Sequence, residues 1–306
     1  MIIHFSDDLG LQDIYANGVE LPNIMGRDLG ANGSRLYTLP DEYTMHVASI
    51  KNPVLMTNHY ELSKFPSTTR ETLFKLYESP VKTVCFRGVS LSFEQARFPG
   101  VWGPSIDTLF LCKALDSGLS GVSSALEVGS GSGYVGKFVL EHSNLNSLDL
   151  IDLNQLAIDC AKSNIVDSRV NFFVGDAKAV LNNSLTKYDL IMCNPPYVPR
   201  PKSVENNPYE GLGLVRYVLD NYDKLLSDSG SFVTISSSVS RSLFESFTDE
   251  LGLKIEELAS MSVPFKITTI LNNNQWMDYL LGNGLLKKDY HDGFDYWHKI
   301  SVLKIN

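Results

Sequence analysis

Along the second half of this chain, apolar residues gather in short runs that stop at glycine or polar positions. Ser124–Val128, Leu148–Asp152, Val170–Val174, Tyr188–Cys193 and Ser231–Ile235 are such runs, each the length of a strand buried on both faces. Between them lie segments with helical spacing, Tyr134–Leu140 and Leu214–Leu226, and Ser105 is placed to cap a helix running through Leu115. Strands alternating with helices predict an α/β fold with a doubly wound sheet, whose ligand lies at the carboxyl ends of the strands.

The first half reads differently. Residues 1 to about 66 are broken by Gly, Pro, Asn and Asp, with strand-like pieces such as Tyr43–Ile50. Thr68–Tyr77 reads as a helix capped by Ser67 or Thr68, and Val81–Phe86 with Val89–Phe93 reads as a hairpin about Arg87-Gly88. A division follows into a small α+β region, 1–97, and a larger unit, 98–306. Recognising a substrate, covering a site and pairing two copies as a homodimer all stay open as uses for the first.

Two segments carry candidate chemistry. Ser124–Val128 leads into Gly129-Ser130-Gly131-Ser132-Gly133 at the start of a helix, a loop whose glycines let backbone approach a ligand while free helical N–H groups face it. Leu148–Asp152 ends in an acid about twenty residues on, the placement of a carboxylate that accepts ribose hydroxyls, and Asp176 after Val170–Val174 is placed to accept from an adenine amino group. Asp152 is expected at an exposed strand end, so that its loss would weaken ligand binding with little effect on folding. Tyr188–Cys193 runs into Asn194-Pro195-Pro196-Tyr197. The two prolines fix φ and remove two donors, leaving nearby carbonyls free to accept. With the Asn194 amide and the Tyr197 face, they form a holder for a flat NH-bearing group rather than a plain turn.

Gly131, Gly133 and Gly136 also satisfy G-x-G-x-x-G, which brings a nicotinamide oxidoreductase into consideration. Glu127, two residues before the first glycine, suits a cationic amino-acid tail and would repel a pyrophosphate. Asp176 repeats the acid at a strand end, and Asn194–Tyr197 supplies a transfer site where a dehydrogenase needs a proton relay.

These residues resemble the class I S-adenosylmethionine-dependent methyltransferases, and within them the HemK-type enzymes that methylate glutamine amide nitrogen. The likeness runs from about Val101 to Gly230, through Val101-Trp102-Gly103-Pro104-Ser105-Ile106-Asp107-Thr108, the cofactor loop and Asn-Pro-Pro-Tyr. It implies a seven-stranded Rossmann-like sheet, closed by antiparallel strands at Lys254–Leu258 and His298–Lys304. It also implies S-adenosyl-L-methionine at Glu127, Gly129, Gly131, Gly133, Asp152, Asp176 and Asn194, with Asn194, Pro195, Pro196 and Tyr197 holding the acceptor nitrogen. Gly103 and Ile106 depart from the Glu and acid of one HemK branch, and the residues before Phe98 do not look like the helical recognition domain of bacterial glutamine methyltransferases. Asn-Pro-Pro-Tyr also occurs in adenine N6 methyltransferases, so it defines the reaction better than the substrate.

Composition narrows the partners. The 306 residues carry a net charge of −9, against a broad phosphate-binding surface, so a protein glutamine or a small-molecule acceptor is expected rather than extended nucleic acid. A methyltransferase acting on a metabolite at N or S, and a non-catalytic cofactor-binding regulator, are the rival readings. No run of eighteen apolar residues and no basic, apolar leader occurs, so no membrane association and a cytoplasmic location are expected. Cys85, Cys112, Cys160 and Cys193 lack metal-ligand spacing and the six histidines form no cluster, so no metal is expected. Trp276 and Trp297 have the spacing and neighbours of core residues.

Overall fold

The computed structural model describes the backbone of residues 2–7, 10–16, 25–28, 35–38, 45–48 and 81–306, apart from 95–96, 105, 183, 202–211, 266–267 and 292–293. The first sheet contains β1 (Ile2–Asp7), β2 (Gly10–Ala16), β3 (Met25–Asp28), β4 (Arg35–Thr38), β5 (Met45–Ala48), β6 (Val81–Phe86) and β7 (Val89–Glu94). Their order is β3-β4-β5-β1-β2-β6-β7. The strand expected within Tyr43–Ile50 is β5, and the expected helix at Thr68–Tyr77 lies outside the described residues.

β6 and β7 form the expected hairpin, with Phe86 paired to Val89. Arg87 and Gly88 both take positive φ, 49° and 85°, the backbone of a tight turn whose twist matches that of the flanking strands. Val89, Leu91 and Phe93 are buried while Ser90, Ser92 and Glu94 are exposed, so one face of β7 enters a core. That core is shared with the larger unit, because Phe86 and the three β7 residues cluster with Leu109, Phe138 and Leu150. Arg87 pairs with Asp116, fastening the turn to the same body.

The second sheet is built from β8 (Ser124–Val128), β9 (Ser147–Asp152), β10 (Val170–Val174), β11 (Tyr188–Cys193), β12 (Leu226–Ser237), β13 (Ile255–Pro264), β14 (Lys287–His291) and β15 (Phe294–Ile305). Seven follow the order β10-β9-β8-β11-β12-β15-β13, and β14 adds an eighth by pairing with β15. β8 to β12 are parallel, whereas β15 runs antiparallel between β12 and β13. The chain works outward from β8 through β9 to β10 and then returns to β8's other side as β11. This reversal opens a crevice at the carboxyl ends of β8 and β11, where ligands of such sheets bind.

Helices cover both faces. On one, α1 (Ile106–Leu115), α2 (Tyr134–His142) and α3 (Gln155–Asn164) pack over Leu148, Leu150 and Met192. Phe138 is fully buried there, which alone stabilises the fold by about 1.5–3 kcal/mol. On the other face, α4 (Ala177–Leu181), α5 (Gly213–Asp220), α6 (Tyr222–Leu225) and α7 (Arg241–Leu251) cover Leu126, Ile191 and Phe232. The single helix expected over Leu214–Leu226 is instead split at Asn221. Its side chain donates to the Tyr217 carbonyl at 2.9 Å and its N–H bonds back to Tyr217 and Val218, closing α5. Two short helices follow β13, α8 (Thr268–Leu271) and α9 (Asn274–Gly282), the latter capped by Asn273.

Candidate active site

The glycine loop joins β8 to α2 at the crevice. Gly129, Gly131 and Gly133 all have positive φ. At Gly131 the requirement is also steric, because a Cβ there would lie 2.9 Å from the carbonyl oxygen of Trp102. The segment 101–104 therefore lies directly over the loop, pinned by Ser132 N–H donating to that carbonyl at 3.2 Å. Beneath the loop, the buried Glu127 accepts from Gly136 N–H at 2.8 Å in the first turn of α2. Gly136 permits this approach, since a Cβ would meet the same carboxylate oxygen at 2.7 Å. Burial pushes the Glu127 carboxyl up to about 8, with the Gly136 N–H opposing the rise and the charge of Asp152 adding to it.

Asp152 differs from its expected exposure. It is buried, with Oδ2 accepting from Gly131 N–H and Oδ1 from Asn154 N–H, both at 2.8 Å. The glycine loop folds back over the end of β9, a contact twenty-one residues apart that strand periodicity does not register. Burial raises its pKa against those two N–H groups. Asp176 is exposed and caps α4, accepting from Lys178 N–H at 2.9 Å. Beside these two acids, Leu153 and Val174 each leave 42% of their surface exposed, an apolar rim suited to a flat ring.

Asn194 follows β11, and the register that pairs Met192 with Glu127 brings it beside the base of the loop. Its Nδ2 donates to Asp107 on α1 at 3.3 Å. Pro195 is buried, and Pro196 and Tyr197 are half-buried. Behind them stands a small core of Val198, Phe265, Trp276 and Leu280, in which Trp276 Nε1 donates to the Pro199 carbonyl at 2.7 Å. The Tyr197 ring lies 6.0 Å from that of His298, whose burial lowers its pKa to about 4 and whose Nδ1 meets Ser237 Oγ at 2.7 Å. Trp276 thus has its expected core role while also supporting the tetrapeptide. Cys193 is buried among apolar side chains.

Glu127, Gly129, Gly131 and Asn194 line one open recess together with Trp102 and Thr108. Ser130 lines it too, and its buried hydroxyl has no hydrogen-bond partner among the described residues. Among those described, the lining holds no lysine or arginine. An anionic pyrophosphate would therefore find no counter-charge in this lining, whereas a cationic ligand with hydroxyls finds acceptors. A wider, shallow depression near Lys187, Asp223 and Asp228 lies at the amino ends of β11 and β12, away from this chemistry.

Sequence reasoning assigned no role to Asp107, Thr108, Leu153 or the 59% exposed Trp102. An acid in the first turn of a mostly apolar helix was the available signal for Asp107. The departure at Gly103 has a direct cause. A Cβ there would fall 2.6, 2.7 and 3.0 Å from ring atoms of the buried Phe93 on β7, so the hairpin occupies the room that a larger side chain would need. Gly103→Glu is expected to destabilise the protein by about 1–3 kcal/mol by overpacking. Thermal melts would check this, and the loss should shrink in a Phe93→Ala background.

Glu127 makes stability depend on pH. Its folded pKa of about 8 exceeds the ordinary 4.5, so the stability it contributes is complete below about 4.5 and lost as pH rises through about 8. Between those limits the loss is on the order of a few kcal/mol. Glu127→Gln, which still accepts from Gly136, should flatten this fall in melts taken from pH 5 to 9. An identical pH profile in the variant would remove Glu127 as its source.

Residues 102–237 match the family model described as the methyltransferase small domain. A Methanocaldococcus jannaschii protein, provisionally named a protein N5-glutamine methyltransferase, is 28% identical over 190 residues, 57% of this chain and 91% of that one. Human methyltransferase HEMK2 is 35% identical over 111 residues, 34% of this chain and 52% of that protein. The tRNA1(Val) (adenine(37)-N6)-methyltransferase of Aeromonas salmonicida is 27% identical over 157 residues, 50% of this chain and 58% of its own. The chain thus spans only about half the length of the last two. No helix among the described residues is long and apolar enough to cross a membrane.

Proposed function

We propose that this chain, a methyltransferase whose residues 102–237 match the methyltransferase small domain and which resembles the HemK-type enzymes, binds S-adenosyl-L-methionine at the Gly129–Gly133 loop and methylates a planar amide nitrogen, that of glutamine in a protein. The observation that carries this is Asn194, at the head of the tetrapeptide, lining one recess with Glu127 at the sheet's switch point. The Ser130 hydroxyl, without a partner among the described residues, and Glu127 with the charge of Asp152 near it fit such a cofactor. The name borne by the archaeal relative supports the acceptor.

When bound, the cofactor supplies a methyl group activated by a sulfonium. The chain's own part is positioning. Glu127 and the loop N–H groups hold the amino-acid end, Asp152 accepts ribose hydroxyls, and Asp176 meets the adenine edge. Asn194 Oδ1 and the Pro195 carbonyl, neither bonded to a protein group among the described residues, accept the two N–H groups of the acceptor. They orient its nitrogen lone pair and stabilise the positive charge that develops there. Tyr197 stacks on the flat amide, backed by His298. Water takes the proton that the methylated nitrogen releases.

The relative that methylates tRNA adenine keeps a base acceptor in view, since adenine also presents a flat NH₂ group. A net charge of −9 opposes the phosphate contacts that an RNA would require. Incubation with methyl-labelled cofactor and separate pools of protein, RNA and metabolites tests the assignment. Label released as N5-methylglutamine after proteolysis is expected, and label confined to RNA or metabolites would overturn the glutamine assignment.

A further inference from the structure

We infer that Asp107 is a positioning residue that fixes which end of the Asn194 amide faces the acceptor. The inference rests on the reading of Asn194 as the group that receives the acceptor's N–H. An asparagine amide offers an acceptor at one end and donors at the other, and the two ends have nearly the same shape. Only Oδ1 can accept the N–H of a substrate. A side chain free to rotate about its terminal bond would present the wrong end part of the time, with Nδ2 donating where a donor already stands.

Asp107 removes that freedom. A carboxylate accepts and does not donate, so the end of Asn194 that faces it is Nδ2, as the 3.3 Å contact has it. Oδ1 is thereby turned to the other side. The carboxylate is itself confined, at 6% exposure, in the first turn of α1, and α1 packs against α2, β12 and β15. Its neighbour Thr108 lines the same recess as Asn194. A first-turn acid ordinarily faces solvent and serves its own helix. Here the acid is buried and reaches a residue eighty-seven positions away.

Asp107→Asn tests the idea, because the replacement keeps size while offering both a donor and an acceptor to Asn194. Turnover should fall by about 10- to 100-fold, the scale of a small misplacement, with cofactor affinity and KM for the acceptor nearly unchanged. Asp107→Glu, which retains an acceptor-only group, should recover part of the loss. In an Asn194→Ala background, Asp107→Asn should cost nothing further, whereas a merely structural role would lower turnover in both backgrounds alike. Wild-type turnover in Asp107→Asn, beside a collapse in Asn194→Ala, would overturn the positioning role and leave the proposed function standing. Retained turnover in Asn194→Ala would instead overturn the function. Should Asp107→Asn fail to fold, the native protein still answers by nitrogen NMR. The Asn194 side-chain amide, identified by its disappearance in Asn194→Ala, should exchange slowly with solvent, and exchange as fast as that of exposed asparagines would overturn the inference.

Discussion

Asn194→Ala is expected to lower turnover by about 10²–10³-fold while leaving cofactor affinity nearly intact, because one preorganised acceptor at a developing charge is lost. The two quantities separate because of where the side chain lies. The cofactor loop is held by Glu127, Asp152 and the carbonyl of Trp102, none of which depends on the Asn194 amide. Tyr197→Phe should be milder than Tyr197→Ala, since stacking needs the ring, and the buried His298 supports that ring from behind. Single-turnover measurements with saturating cofactor check both. Near-native turnover in Asn194→Ala would exclude nitrogen methylation through this tetrapeptide and favour a sulfur or oxygen acceptor held elsewhere.

Asp152→Ala should injure folding and binding together. The substitution leaves the N–H groups of Gly131 and Asn154 without their acceptors, at about 1–3 kcal/mol each. Relief of the carboxylate's own burial, visible in its raised pKa, offsets part of this, so a net loss of about 2–4 kcal/mol is expected. Cofactor affinity should fall by about 10- to 100-fold as the loop loses its tether and the ribose its charged partner. Asp152→Asn, able to satisfy one of the two donors, should lie between alanine and the wild type. Calorimetry and denaturant titration on the three proteins would decide the matter, and a wild-type denaturation midpoint for the alanine variant would make the tether energetically idle.

What was legible in the sequence was what local spacing encodes. The β6–β7 hairpin followed from alternation about Arg87-Gly88, and β8 to β12 from short apolar runs that stop at glycine or polar residues. The antiparallel closing strands at Ile255–Pro264 and Phe294–Ile305 followed from resemblance. What escaped depends on contacts between distant segments. Burial of Asp152 comes from the loop twenty-one residues earlier, and the recruitment of Asp107 from β11 arriving beside α1. The break at Asn221 was hidden for a different reason. Apolar spacing continues through Leu225 and Leu226, while the competing side-chain bond to the Tyr217 carbonyl leaves no trace in hydrophobic pattern.

The way β7 meets the larger unit bears on how this protein avoids sticking to itself. A strand at the end of a sheet offers a row of donors and acceptors to any passing strand. Here part of that row is already taken by side chains. Asn164 both accepts from Ser92 N–H and donates to Ser92 C=O, at 3.0 Å each, giving the two bonds that a neighbouring strand residue would give. Lys137 takes the Ser90 carbonyl and Tyr134 that of Val89. Two helices thus mimic the next strand and stop the ladder, so a foreign β-segment can join at this margin only by first evicting Asn164 and Lys137.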